Sequence, residues 1–178
     1  CYDKAISINS GDAWPWTSKA IALYDLKRYE EVIKCYDKAL AIDSGNISSW
    51  INKGVNLHEL ERYEEAIACY DKALAINPDN ISAWNNKGWA LYKQKKYDEA
   101  MKCIDKSLSL DPDEYDSWTC KGWILYEQGK YEESLECFNK ALSIEPDYKD
   151  ALEGKEAAMK ALNSSAATAE PVNKPSNT

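Results

Sequence analysis

Six cysteines and one histidine, His58, are the side chains in this chain of 178 residues that could ligate a metal, carry redox chemistry or act on protons near neutral pH. Each of those chemistries demands its own spacing. Zinc sites use cysteines paired a few residues apart, and disulfides need partners that the fold can bring together. Five of the six cysteines instead stand at positions 1, 35, 69, 103 and 137, an unbroken step of 34 residues. Equivalent points on successive packed helices lie about 8–10 Å apart. A disulfide needs Cα atoms within roughly 7 Å, and zinc needs sulfurs about 2.3 Å away. The ladder is therefore neither a metal centre nor a disulfide set. Its thiols read as small hydrophobes, and unpaired thiols at this density point to a reducing compartment, the cytoplasm. Cys120 stands off the ladder and reads as a packing or groove residue.

A lone histidine leaves no partner for histidine-based acid–base or nucleophilic catalysis. No Gly-x-Ser-x-Gly, Walker loop or His-Glu-x-x-His stretch occurs. Carboxylates are abundant, but Asp79, Asp98, Glu99, Asp113 and Glu132 fall at turn and helix-start positions, where they cap helices and offset the macrodipole. With no convergent constellation, the expectation is a non-enzyme without a cofactor. Asn46, Asn80 and Asn163 open Asn-x-Ser triplets, which a cytoplasmic chain leaves unmodified.

The elements that must position these residues share the period of the cysteines. Trp16, Trp50, Trp84 and Trp118 keep the same step of 34, as do Lys19, Lys53, Lys87 and Lys121, and Tyr29, Tyr63, Tyr97 and Tyr131. A unit of this length is too short to cover its own apolar face, so neighbouring copies must cover it by stacking. The frame that follows is a half repeat at 1–12, complete repeats at 13–46, 47–80, 81–114 and 115–148, and a terminal segment at 149–162.

Within a unit, Trp84, Gly88, Leu91 and Tyr92 line one side of a helix, and Tyr97, Ala100, Met101, Ile104, Ser107 and Leu108 do so again after the polar break Lys95-Lys96. Each unit is thus a helix pair, and the chain is an all-α array. Pro78, Pro112 and Pro146 sit between units, where proline ends one helix without breaking the next. Gly54, Gly88 and Gly122 fall mid-helix, where glycine costs about 1 kcal/mol relative to alanine. Close approach of a partner helix explains them, whereas a phosphate-binding loop would need clustered glycines at a strand-to-helix turn.

These residues resemble the tetratricopeptide repeats, whose signature runs Trp, Leu, Gly, Tyr, Ala, aromatic, Ala, Pro. The second unit reads Trp50, Lys53, Gly54, Leu57, Ala66, Tyr70, Ala73 and Pro78; the third reads Trp84, Lys87, Gly88, Leu91, Ala100, Ile104, Ser107 and Pro112. Departures are local: Ala20 for the first glycine, Val32 and Ser134 for the small alanine, and lysine where leucine is usual. The resemblance implies a right-handed α-solenoid whose first helices line a concave groove for an extended or helical peptide, making the chain a non-catalytic protein-interaction scaffold. It places repeat positions 2, 5, 6, 9, 12 and 13 on that groove. The candidate peptide-binding residues are then Asn52, Asn85, Asn86, Trp89, Tyr92, Trp123, Tyr126, Asp116 and Glu127.

Asparagine carries a donor and an acceptor for a peptide backbone, and tryptophan and tyrosine give large rigid contact area. Trp89 and Trp123 fit helix packing equally well. The lysine and arginine clamp by which some relatives hold a C-terminal carboxylate is missing: Thr17, Ile21, Asn52, Ser82 and Asn86 occupy those places. Groove positions hold Asp25, Glu59, Asp116, Glu127, Asp150 and Glu153 against Lys93, so the expected partner is a neutral or basic protein or peptide. A net charge of −8 disfavours nucleic acid, and no apolar run approaches a membrane span.

Residues 149–162 are expected to be a capping helix, and the alanine-, serine- and proline-rich 163–178 a disordered tail. Because the chain opens without methionine and inside a repeat, a further repeat upstream is expected, leaving the first helix uncovered. Self-association through that uncovered N-terminal helix is the alternative to a peptide-binding role.

Overall fold

Helix boundaries follow the 34-residue period in the computed structural model, which describes residues 11–168. Helices α1 (Trp14–Tyr24), α2 (Tyr29–Ile42), α3 (Ile47–Glu59), α4 (Tyr63–Ile76), α5 (Ile81–Lys93) and α6 (Tyr97–Leu110) form one unit; α7 (Tyr115–Glu127), α8 (Tyr131–Ile144) and α9 (Lys149–Thr168) form a second. In the first unit each helix packs on the next, and α3 also touches α5. In the second, α8 packs on both α7 and α9, and α7 meets α9. Among the described residues every regular element is a helix.

The turn inside each pair has one solution used four times. Lys27, Glu61, Lys95 and Gly129 take positive φ of 56°, 58°, 60° and 76°. Next to them the amides of Arg28, Arg62, Lys96 and Lys130 donate back to the carbonyls of Leu23, Leu57, Leu91 and Leu125 at 2.9–3.1 Å. This closes the helix in a Schellman motif, whose left-handed residue costs a non-glycine side chain about 1 kcal/mol. Between units, Asn46 and Asn80 accept from the amides of Ser49 and Ala83 at 2.8 Å and cap α3 and α5. The indoles of Trp50 and Trp84 then donate to the carbonyls of Ser44 and Pro78 at 2.9 and 2.7 Å, tying each turn to the helix that follows.

Mid-helix glycines sit where a partner side chain presses on the backbone. A Cβ at Gly54 would lie 2.5 Å from the Tyr70 ring, one at Gly88 2.5 Å from Ile104, and one at Gly122 2.6 Å from Phe138. The alanine replacement at Ser134 is absorbed by a buried hydrogen bond, its hydroxyl donating to the Gly122 carbonyl at 2.8 Å. Lys53 and Lys87 lie over the rings of Trp50 and Trp84, 5.8 and 5.7 Å from the centroids, and reach Asp37 and Asp71 at 2.6 Å. Their stems cover the tryptophan while their heads bridge to the previous helix.

Two sequence expectations concern the ends. Residues 1–10, which carry most of the expected half repeat 1–12, lie outside the described residues. The C-terminal helix does not stop at 162 but runs to Thr168, a correction to the expected tail of 163–178. Alanine is the strongest helix former, and no proline intervenes before Pro171. Residues 169–178 are outside the description. Among the described residues no helix is long and apolar enough to cross a membrane.

Candidate functional site

The first helices of the first unit, α1, α3 and α5, carry the groove positions Asn52, Asn85, Asn86, Trp89 and Tyr92. Asn52 stands where several elements converge. Its side chain lies beside that of Tyr36 of α2, and its carbonyl accepts from Asn56 Nδ2 at 2.7 Å. Together with Ile21, Tyr24 and Val55 these residues line a cavity of about 270 Å³. Ile21 and Tyr24 are 58% and 43% exposed, unusual for large apolar side chains in one place. No charged side chain lines the cavity.

The remaining candidates divide. Asn86 is half-buried, its Nδ2 donating to the Ser82 carbonyl at 2.7 Å. Asn85, expected on the groove, is buried at 6% exposure. Its place one repeat earlier belongs to Ile51, which packs against Leu74 and Ala83, and one repeat later to fully buried Thr119; position 5 is an inter-helix packing position here. Trp89 meets Tyr92 edge-on at 5.7 Å, and Tyr92 leans on Tyr97 at 6.0 Å.

The second unit repeats that aromatic chain on α7 and α8. Trp123 meets Tyr126 at 5.6 Å and buried Phe138 at 5.4 Å, and Tyr126 meets Tyr131 at 5.4 Å. Trp123 thus has a packing role. Asp116 accepts the Tyr148 hydroxyl at 2.6 Å. Burial, reinforced by that bond to a carboxylate, holds the Tyr148 hydroxyl well above the ordinary tyrosine range. Glu127 is exposed at the end of α7.

Sequence reasoning missed Tyr36 and Asn56. For Asn56 a signal was available in the period: its place is taken by Ala22, Ala90 and Ile124 in the other units, so an asparagine there is an exception, whereas Tyr36 holds the ordinary place of Tyr70, Ile104 and Phe138. A shallower surface of about 680 Å³ runs along α9 past Leu152 and Met159, but one helix supplies all of it and no second element converges on it.

His58 of α3 meets Tyr63 edge-on at 5.1 Å. Burial, then the charge of Lys93, hold its pKa below the ordinary histidine value of 6.5. A depressed histidine pKa means that the fold favours the neutral ring, so stability is complete above about pH 6.5 and declines as pH falls from there through the folded-state value. Melting temperatures taken from pH 7.5 to 5 should therefore fall more steeply for the wild type than for His58→Gln. Parallel curves would show that the ring is as readily charged in the fold as outside it.

The cysteines of the described residues lie in the core. Cys35, Cys69, Cys103, Cys120 and Cys137 are buried, and desolvation pushes the Cys69 thiol up to about 11. Among the described residues, no group of three or more His, Cys, Asp or Glu side chains could hold a metal ion.

Comparison with known proteins bears on the same elements. The family model described as "Tetratricopeptide repeat" matches residues 13–46, 81–114 and 115–148, and that described as "TPR repeat" matches 54–95. No curated protein matches the chain. Among solved structures, the chain is similar to YrrB, "a TPR protein with an unusual peptide-binding site", at 24% identity and a TM-score of 0.70 over 95% of this chain and 92% of that one. It is similar to MamA from Desulfovibrio magneticus RS-1 at 20% identity and a TM-score of 0.74, covering 83% and 84%. The Sgt2 TPR domain from Aspergillus fumigatus shares 20% identity with a TM-score of 0.67, covering 74% and 88%.

Proposed function

Because the chain belongs to the tetratricopeptide repeat family, whose members mediate protein–protein interactions, we propose that it is a non-catalytic scaffold that binds a peptide segment of a partner protein on its first helices. The observation that carries this reading is the cavity between α1 and α3, where exposed Ile21 and Tyr24 flank Asn52. Large exposed apolar side chains beside an amide able to pair with a peptide backbone are what such a segment needs. Asn86, Trp89 and Tyr92 extend the surface along α5, and Asp116, Trp123, Tyr126 and Glu127 hold the same kind of positions in the second unit. The peptide-binding site named for YrrB supports the reading by analogy of fold. The preferred partner is neutral or basic, since acidic side chains outnumber Lys93 at the groove positions. Five buried cysteines spaced as a ladder or packed singly, rather than paired along the sequence, favour a reducing, cytoplasmic setting. Self-association through the N-terminal helix, the other reading, involves residues 1–10 and has no observation among the described residues to favour it.

The test is selection of peptides from a random-sequence library on the full chain, followed by affinity measurement on a variant carrying Ile21→Glu and Asn52→Ala. At least a tenfold loss of affinity, about 1.4 kcal/mol, with an unchanged circular dichroism spectrum is expected. Selected peptides that bind the variant as well as the wild type would move the site elsewhere.

A further inference from the structure

The repeat register shows what kind of side chain suits the cavity between α1 and α3. On α1 and α2 it is lined by Ile21, Tyr24 and Tyr36, and in the fourth repeat the same places hold Trp123, Tyr126 and Phe138. There the indole of Trp123 lies edge-on to both rings, 5.6 Å from Tyr126 and 5.4 Å from Phe138. In the third repeat Trp89 holds that place and meets Tyr92 edge-on at 5.7 Å. In the first repeat the place belongs to Ile21, which is a smaller side chain left 58% exposed, and about 270 Å³ of open space lies beside it. The next first helix does not bring a ring either. Along the array this repeat position runs Ile21, Val55, Trp89, Trp123 and Ala157, so α1 and α3 are successive first helices that both lack tryptophan there. The aromatic side chains that an indole meets in the fourth repeat therefore have counterparts lining open space in the first.

We propose that this cavity receives one aromatic side chain of the bound peptide, which packs against Tyr24 and Tyr36 as Trp123 packs against Tyr126 and Phe138 within the chain. This rests on the groove reading above and narrows it to an aromatic anchor. The volume of about 270 Å³ lies below the roughly 300–1,000 Å³ typical of drug-sized sites, so it holds one side chain rather than a run of them. A charged anchor would shed its water with no opposite charge in the lining to replace it. An aliphatic anchor would bury area but forgo the edge-to-face contacts, which add to area burial when rings meet rings. A place that stabilises the fold in the third and fourth repeats thus serves recognition in the first. The same register supplies the control: Ile21→Trp lets the chain fill the cavity with its own indole.

The probe is a terminally blocked peptide, resynthesised from a random-library selection on the full chain and chosen because it shifts the NMR methyl signals of Ile21 and Val55. On the wild type, the peptide residue whose side-chain protons give nuclear Overhauser contacts to those methyls should be tryptophan, phenylalanine or tyrosine. Its replacement by alanine should weaken binding about tenfold or more. Ile21→Trp, with an unchanged circular dichroism spectrum, should bind the original peptide about tenfold more weakly than the wild type does. It should lose less than about twofold further when the peptide's aromatic residue becomes alanine. An aliphatic or charged residue giving those contacts, or an alanine replacement that costs both proteins equally, would overturn this inference and leave the groove reading intact. Should Ile21→Trp fail to fold, the identity of the contacting residue on the wild type decides alone. If no selected peptide shifts those methyl signals, both readings fall together.

Discussion

Phe138→Ala should destabilise the second unit by about 3–5 kcal/mol, the range for emptying a buried aromatic site, measured as the shift of the urea unfolding midpoint at constant slope. The ring is fully buried on α8 and is gripped from two sides. Cβ atoms built at Gly122 of α7 and Gly154 of α9 would lie 2.6 and 2.3 Å from it, and Trp123 meets it edge-on at 5.4 Å. It is thus the common contact of all three helices of the unit, with Ala141, Ala151 and Ala158 in the same cluster. Collapse into the vacated space would require α7 and α9 to move together. The grip also predicts the reverse experiment: Gly154→Ala should cost about 1–3 kcal/mol through overpacking, even though alanine is the better helix former by about 1 kcal/mol. Gly88→Ala should carry a similar cost, because its Cβ would meet both Cδ1 and Cγ1 of fully buried Ile104 at 2.5 and 2.8 Å. A loss below about 1 kcal/mol for Phe138→Ala would mean that α7 and α9 are held by contacts other than this ring.

What the sequence made legible was whatever repeats. A period of 34 residues fixed the helix pairs, the packing role of the glycines, the burial of the cysteines at 35, 69, 103 and 137 and the family resemblance, because each rests on one position read several times. The site depends on what does not repeat. Asn85 looked like a groove residue from its position number, but the same position holds Ile51 and Thr119, and its neighbours bury it. Asn56 departs from Ala22, Ala90 and Ile124 at the same place, but that its Nδ2 is bound and its Oδ1 is not is a distinction no linear pattern carries. Tyr36 entered through contact across a helix pair rather than along one. The extension of α9 to Thr168 was hidden for another reason: composition suggested a tail, while local propensity, read residue by residue from Asn163, favours helix until proline.

The anchoring tryptophans give the second large effect and a way to tell anchors from site. Trp84→Ala should destabilise the first unit by about 3 kcal/mol. The ring packs with Ala73, Leu74 and Ala83, its Nε1 donates to the Pro78 carbonyl at 2.7 Å, and Lys87 lies over its face while bridging to Asp71. One side chain therefore fastens α4, the turn and α5. Trp84→Phe keeps most of the apolar contact and forfeits the N–H, so it should lose only about 1 kcal/mol, and a double-mutant cycle with Lys87→Met should return a coupling of about 0.5–1 kcal/mol. Were Trp84→Phe as damaging as Trp84→Ala, the hydrogen bond to the turn rather than the buried area would be what holds the two helices. Trp84 does not line the cavity of Ile21 and Asn52. Its loss should therefore lower the unfolding midpoint yet leave the affinity of a selected peptide unchanged at temperatures where the variant is still folded, the opposite of the behaviour expected of the Ile21→Glu, Asn52→Ala variant.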